Sequence, residues 1–205
     1  MPLPSVYDFK PRFQRLLHPV SDWLAKKRVT ANMVTYSALF GSMLVGAGIA
    51  IFGPRSIRVL LVLPVWLLIR MALNAIDGMM AREYKMVSNF GFVLNEAGDV
   101  LSDVFLYLPL AFLAKDALLP VYVFCIGAIL TEFCGIIPKT LGFGRRYDGP
   151  MGKSDRAFWI GLLSIVASVY PMTIIWWKYV FIVMALMEIV TCIKRINNGL
   201  KEESR

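Results

Sequence analysis

The sequence predicts an all-α integral membrane protein, with six transmembrane helices preceded by an amphipathic helix lying in the lipid–water interface. Three observations carry this reading. Of 205 residues, 58% are hydrophobic, against roughly 45–50% apolar in soluble domains, and the mean hydropathy is +0.62. The apolar residues gather into stretches close to the ~20 residues that a spanning helix needs. The connections between these stretches are short, which leaves one compact helical domain without room for a second, soluble one.

Residues 1–28 read as an amphipathic juxtamembrane segment and not as a cleavable signal. Phe9, Phe13, Leu16, Leu17, Val20, Trp23 and Leu24 recur at helical spacing, while Lys10, Arg12, Arg15, Lys26 and Lys27 supply charge. That pattern suits a helix in the headgroup layer, kinked or split at Pro19. The sole histidine, His18, reads as an interfacial residue.

Residues 29–196 are expected to form the six-helix domain, with spans near 33–52, 58–82, 90–114, 118–137, 157–174 and 176–194. Gly53-Pro54, the polar run from Glu83 to Asn89, Asp116, the segment from Pro138 to Arg156, and Pro171 mark the breaks. Trp176 and Trp177 beside Lys178 resemble interfacial anchors. Residues 197–205 are expected to be a cytoplasmic tail.

The basic residues predict topology. Seventeen lie in the N-terminal segment, the second and fourth loops and the tail, against four in the other loops. Cytoplasmic loops collect Lys and Arg, so both termini are placed in the cytoplasm. The same rule accounts for the net charge of +8, and no aromatic-interleaved basic patch suggests nucleic acid. Cys125, Cys134 and Cys192 lie in apolar stretches without metal-ligand spacing and read as packing residues.

Polar residues inside a bilayer are costly and usually functional, and here they concentrate on the second and third spans. The second carries Arg70, Asn74, Asp77 and Arg82; the third carries Asn95, Glu96, Asp99, Ser102 and Asp103. Positions 70, 74, 77, 78 and 81 share one helical face, as do 91, 95, 99 and 103. Reflecting the two spans through a turn near Val87 sets Arg70 level with Asp103, Asn74 with Asp99, and Asp77 with Asn95 and Glu96. Arg70 and Asp103 are expected to form a structural ion pair, because an unpaired buried charge is expensive. The remaining carboxylate and amide oxygens are hard donors suited to Mg²⁺, Mn²⁺ or Ca²⁺. Gly78, Ala81 and Gly91 clear this face, either for a ligand or for close helix packing.

The run Asn74-Ala-Ile-Asp77-Gly78-Met-Met-Ala81-Arg82, then eight residues, Gly91, three residues, Asn95, three residues and Asp99 resembles the CDP-alcohol phosphotransferase signature. That signature reads DxxDGxxAR, eight residues, GxxxDxxxD. Asp77, Gly78, Ala81, Arg82, Gly91 and Asp99 match it, while Asn74 and Asn95 replace its first and third aspartates, marking a divergent branch. The resemblance extends to the six spans, the leading amphipathic helix, and Thr30-Ala-Asn32-Met-Val-Thr35 entering the first span.

The resemblance implies a phospholipid-synthesising transferase that moves a phosphatidyl group from CDP-diacylglycerol to a small polar alcohol, phosphorylated or not, and releases CMP. It implies one or two divalent ions, Mg²⁺ or Mn²⁺, at Asn74, Asp77, Asn95 and Asp99. Two lost aspartates favour a single ion, weaker binding, or rescue by Glu96 or Asp103. It assigns CDP binding to Asn74, Asp77, Gly78, Ala81, Arg82 and Gly91, and deprotonation of the acceptor to Asp99. The resemblance also implies a homodimer, while the short loops and reduced-looking cysteines suit a bacterial inner membrane and the basic residues place the active site at its cytoplasmic face.

In the fourth loop, Arg145, Arg146 and Lys153 are candidates for binding a phosphorylated acceptor, and equally members of the ordinary cytoplasmic excess of basic residues. Glu132 is a further buried acid without an assigned partner. Two other readings stay open. A catalytically silent relative would bind CDP-lipid or a partner protein without turnover. A transporter also buries Arg and Asp, although neither broken helices nor an inverted repeat is evident.

Overall fold

The computed structural model describes residues 10–201. Phe9, the side chains of Lys10 and Arg12, and the end of the expected tail lie outside the described residues. Among the described residues seven helices follow one another: α1 Lys10–Lys26, α2 Ala31–Phe52, α3 Val62–Glu83, α4 Asn89–Tyr107, α5 Leu118–Thr140, α6 Lys153–Val169 and α7 Trp177–Leu200. Short 3₁₀ turns at Ile57–Leu61, Leu108–Phe112, Lys115–Ala117 and Pro171–Trp176 join several of them.

Local chemistry sets the boundaries. Thr30 caps α2, its side chain accepting the Met33 N–H at 3.3 Å, and Ser88 caps α4 through the Gly91 N–H at 2.9 Å; both satisfy otherwise orphaned donors. The expected third span, 90–114, stops being α-helical at Tyr107, because Pro109 enters a 3₁₀ turn and cannot donate to the preceding turn. The expected fifth span, 157–174, is shifted back to Lys153–Val169, since Pro171 holds Tyr170 out of the helix. Lys153 is therefore the first residue of α6 and not part of a loop. The last helix runs beyond the expected domain end to Leu200. Pro19 lies inside an unbroken α1, and the anticipated split does not occur.

A large apolar cluster binds α3 to α7, and through it Tyr107, Phe124, Phe181 and Trp177 form a chain of ring contacts at 5.6, 5.3 and 5.9 Å. Trp177 is only 2% exposed, which corrects its reading as an interfacial anchor; its neighbour Trp176 is the exposed one. A second cluster, Ala31, Val34, Ile76, Met79 and Met80, receives Leu17 and Leu24 of α1. His18 Nε2 lies 3.2 Å from Glu83 Oε2 at the end of α3, and Tyr84 donates to Asp22 Oδ1 at 2.5 Å. These contacts dock α1 against the bundle.

The outward faces of the bundle remain apolar, with Leu44, Val65, Leu68, Ile126, Val183 and Ile189 exposed. Large exposed apolar surface marks contact with a membrane or partner. Among the described residues, four helical stretches are long and apolar enough to cross a bilayer: Ala31–Phe52, Ile57–Glu83, Lys115–Thr140 and Pro171–Leu200. α4 and α6 fall outside this group because α4 carries three acids within 19 residues and α6 is only 17 residues long. Glu96, Asp99 and Asp103 lie on α4, and Lys153, Asp155 and Arg156 open α6.

Candidate active site

The turn between α3 and α4 brings their polar faces together as the reflected register requires. Asn74 Nδ2 donates to Asp99 Oδ1 at 2.8 Å, and Asn95 Nδ2 donates to Asp77 Oδ2 at 3.2 Å. Thr35 of α2 adds a third contact, its hydroxyl donating to Asp77 Oδ2 at 2.8 Å. Arg70 Nη1 donates to Asp103, and its Nη2 donates to the Asp99 carbonyl at 2.8 Å. Asp77 and Asp99 are nearly buried, at 3% and 6% exposure, where partners of this kind offset the cost of desolvation.

The glycines separate. A Cβ built on Gly78 would meet no neighbouring helix, and the Arg82 guanidinium at 3.5 Å is its nearest neighbour. Gly78 therefore keeps space open beside the acids. Gly91 serves packing, since a Cβ there would come within 2.9 Å of Asn32 Oδ1 on α2. Ala81 packs at the edge of the cluster beneath α1, and Arg82 is exposed.

The fourth loop also divides. Lys153 Nζ donates to Asp99 Oδ2 and so joins the motif acids. Arg145 instead donates to Glu96 and, at 2.9 Å, to Glu132 Oε2. Arg146 grips Asp148 through Nε and Nη2 at 2.8 and 3.0 Å. Burial pushes Asp148 upward, yet this guanidinium outweighs it and holds the carboxyl below its ordinary value. Of the three basic residues offered for the acceptor, Lys153 bonds a motif acid, while Arg145 engages Glu96 and Glu132 and Arg146 engages Asp148.

Two residues outside the expected set complete the framework. Arg156, fully buried, donates to Asp103 Oδ2 at 2.9 Å, to Glu132 Oε1 at 3.0 Å and to Thr131 Oγ1 at 2.7 Å. Arg195 of α7 donates to the Thr131 carbonyl and, at 3.1 Å, to the Asp148 carbonyl. Glu132 thus has three arginine partners within 3.5 Å: Arg145, Arg156 and Arg195. Glu96 and Asp103, the two acids considered as replacement ligands, are both taken by arginines. The sequence signal for Arg156 was its place three residues after Lys153 at the edge of an apolar stretch. Arg195 resembled an ordinary basic helix end.

The donor chemistry can be tested against a divalent ion. Two carboxylates with neighbouring amide and hydroxyl oxygens suit one Mg²⁺ or Mn²⁺, whose shell is usually completed by water and substrate phosphate. They do not suit a pair of such ions, because Asn74 and Asn95 bring no charge and the next acids are already paired. Among the described residues, His18, Asp22 and Glu83 are the group of three ligating side chains close enough for one ion. They lie at the α1–α3 contact and not in the motif.

The bundle shares its fold with a phosphatidylinositol phosphate synthase of known structure. Phosphatidylinositol phosphate synthase (PgsA1) of Mycobacterium tuberculosis with CDP-DAG bound superposes with a TM-score of 0.74 at 18% identity, covering 90% of this chain and 94% of that one. The same enzyme in complex with manganese and citrate gives 0.73 at 17% identity, over 90% and 88%. Among sequences, the inner membrane protein YnbA of Escherichia coli (strain K12) is 43% identical over 198 residues, 96% of each chain. The chain belongs to the same family as YnbA and is an integral membrane protein. An uncharacterized protein of Aquifex aeolicus (strain VF5) is 32% identical over 94 residues, 46% of this chain and 45% of its own. No family model matches the chain.

Proposed function

We propose that the protein transfers a phosphatidyl group from CDP-diacylglycerol to an alcohol acceptor and releases CMP. The observation that carries this reading is the convergence of Asp77, Asp99 and Lys153 beside Gly78, in a fold shared with a synthase that binds CDP-DAG. The reading places α2 to α7 across the bilayer as six spans, α1 in the interface, and the acids at the cytoplasmic side.

An apolar groove of about 280 Å³ between α3 and α6 supports the lipid assignment. Pro64, Leu67, Met71, Phe158, Gly161 and Ile165 line it, and it reaches Ser154, the neighbour of Lys153. A CDP-lipid with an acyl chain in this groove would have its phosphates beside Lys153 and Asp99. Gly78 leaves room for the nucleotide, and Arg82, one turn further along α3, is positioned to neutralise phosphate charge.

A single Mg²⁺ or Mn²⁺ would be held by Asp77 and Asp99, with Asn74 and Asn95 able to add amide oxygens. When bound, it would supply charge neutralisation at the diphosphate. The protein's own residues perform the proton step. Asp99 accepts the proton of the acceptor hydroxyl, whose oxygen forms a bond to the lipid-side phosphorus. The bond from that phosphorus to the bridging oxygen breaks, and the electron pair leaves with CMP.

A second reading, a CDP-lipid-binding protein without turnover, is favoured by one observation: both asparagines spend an amide N–H on the acids. Purified protein with CDP-diacylglycerol, Mg²⁺ or Mn²⁺, and a panel of alcohols separates the two. Acceptor-dependent CMP release that vanishes in Asp99→Asn supports the transferase. Saturable CDP-lipid binding without release across the panel supports the second reading.

A further inference from the structure

We propose that Lys153 is a built-in second cation of this site, replacing a divalent ion that the two asparagines no longer support. The inference takes its ligand from the CDP-lipid reading, but its charge balance rests on this chain's own residues. Asp99 is engaged at both oxygens: by Asn74 Nδ2 and, more distantly, Arg70 Nη2 at Oδ1, and by Lys153 Nζ at Oδ2. Asp77 already accepts from Thr35 and Asn95 at one oxygen. Asp77 and Asp99 with Lys153 carry one net negative charge, which Arg70, shared between Asp99 and Asp103, lowers further; one divalent ion reverses it and two would greatly overcompensate.

The lysine is held in place. It is the first residue of α6, and the Asp155 carboxylate accepts the Gly152 N–H at 3.0 Å directly before it. The preceding loop is tied to the bundle by the Met151 N–H donating to Thr191 Oγ1 at 3.0 Å, and by Arg156 Nη1 donating to the Met151 carbonyl at 3.2 Å. Gly149, at φ +111°, permits the turn, and a Cβ there would collide with Thr191. The Lys153 side chain keeps 33% of its surface exposed while Asp99 keeps 7%. One face of the ammonium therefore grips Asp99 and another remains available to an incoming phosphate. A diphosphate that draws Lys153 toward itself frees Asp99 Oδ2 for the acceptor proton.

Manganese titration followed by the electron paramagnetic resonance of free Mn²⁺ tests this on the purified full chain. The wild type should bind at most one Mn²⁺ per chain. Asn74→Asp with Asn95→Asp should add a second ion and tighten the first by ~10-fold or more, the lower end of the range for perturbed ligand shells. Lys153→Met should tighten Mn²⁺ binding, and Lys153→Arg should behave as wild type, which separates lost charge from lost folding. In parallel, CDP-diacylglycerol binding measured in EDTA should survive in the wild type and be lost in Lys153→Met. Two Mn²⁺ per wild-type chain, or unchanged Mn²⁺ affinity in folded Lys153→Met, overturns the proposal. So does CDP-lipid binding to the wild type that appears with metal but vanishes in EDTA. A single ion that tightens in Lys153→Met, in a protein that never binds CDP-lipid, supports the charge balance and sinks the transferase reading instead.

Discussion

Asn74 Nδ2 lies 2.8 Å from Asp99 Oδ1, closing a hydrogen bond where the family signature would set two carboxylates side by side. Like charges that close cannot both ionise without a cation between them. The asparagine removes that demand, and Asn95 does the same for Asp77 at 3.2 Å. Asp99 is thereby held by Asn74, Arg70 and Lys153, and Asp77 by Thr35 and Asn95. This is compatible with a site whose need for divalent metal is reduced while its proton acceptor is retained.

Asp99→Asn is expected to lower acceptor-dependent CMP release by about 10²- to 10⁴-fold, the usual contribution of a positioned general base. CDP-lipid binding should fall much less. Release kinetics and equilibrium binding on the same preparation check this, and equal losses in both would remove Asp99 from the chemical step.

Arg156→Met is expected to destabilise the bundle by about 3–5 kcal/mol, because it leaves Asp103 and Glu132 buried with one partner fewer. Its donors to these acids lie at 2.9 and 3.0 Å, deep between α4, α5 and α6. Thermal unfolding in detergent reads the loss. A midpoint within a degree or two of wild type would show that the network relaxes around the gap.

These two residues show what was legible in the sequence and what was not. The α3–α4 hairpin was readable, because helical periodicity and a single turn fix which side chains share a depth; Asn74 with Asp99 and Arg70 with Asp103 follow from arithmetic. Arg156 and Arg195 were not, because their partners lie on helices distant in sequence, and no local pattern distinguishes a buried arginine from a basic helix end. Arg145 reads from sequence equally as an acceptor candidate and as an ordinary cytoplasmic basic residue, and only tertiary packing sets it against Glu96 and Glu132. The 3₁₀ turn after Tyr107 shows the same limit, since an apolar run does not say where its helix stops.

The docking of α1 should depend on pH at its acidic end. The Tyr84 hydroxyl bonds Asp22 and holds its carboxyl below the ordinary 3.8. A depressed carboxylate contributes fully above its ordinary pKa and loses that contribution as pH falls through the depressed value. The Asp22–Tyr84 contact should therefore persist through neutral pH and weaken only below about pH 4. Tyr84→Phe should move the Asp22 titration, followed by the side-chain carboxyl resonance in nanodiscs, upward toward 3.8. An unchanged titration in that variant would rule out the tyrosine as the cause.

Glu188 and Gly127 provide a test inside the bundle. Glu188 is fully buried on α7, and among the described residues neither carboxylate oxygen has a hydrogen-bond partner. It fits against α5 only because residue 127 is glycine: a Cβ there would lie 2.2 Å from Glu188 Oε2 and 3.0 Å from its Cδ. Gly127→Ala should therefore cost about 1–3 kcal/mol, the range for overpacking a filled interior. Glu188→Ala removes the atoms in the way, leaving its own Cβ at 3.3 Å from the added methyl. The double variant should thus be more stable than the sum of the single changes requires, with a coupling of about 0.5–3 kcal/mol, as for residues in direct contact. Thermal unfolding of the four proteins in one detergent yields the cycle. Additive costs would mean that Glu188 swings aside when Gly127 is filled, and that its position is not fixed by this contact.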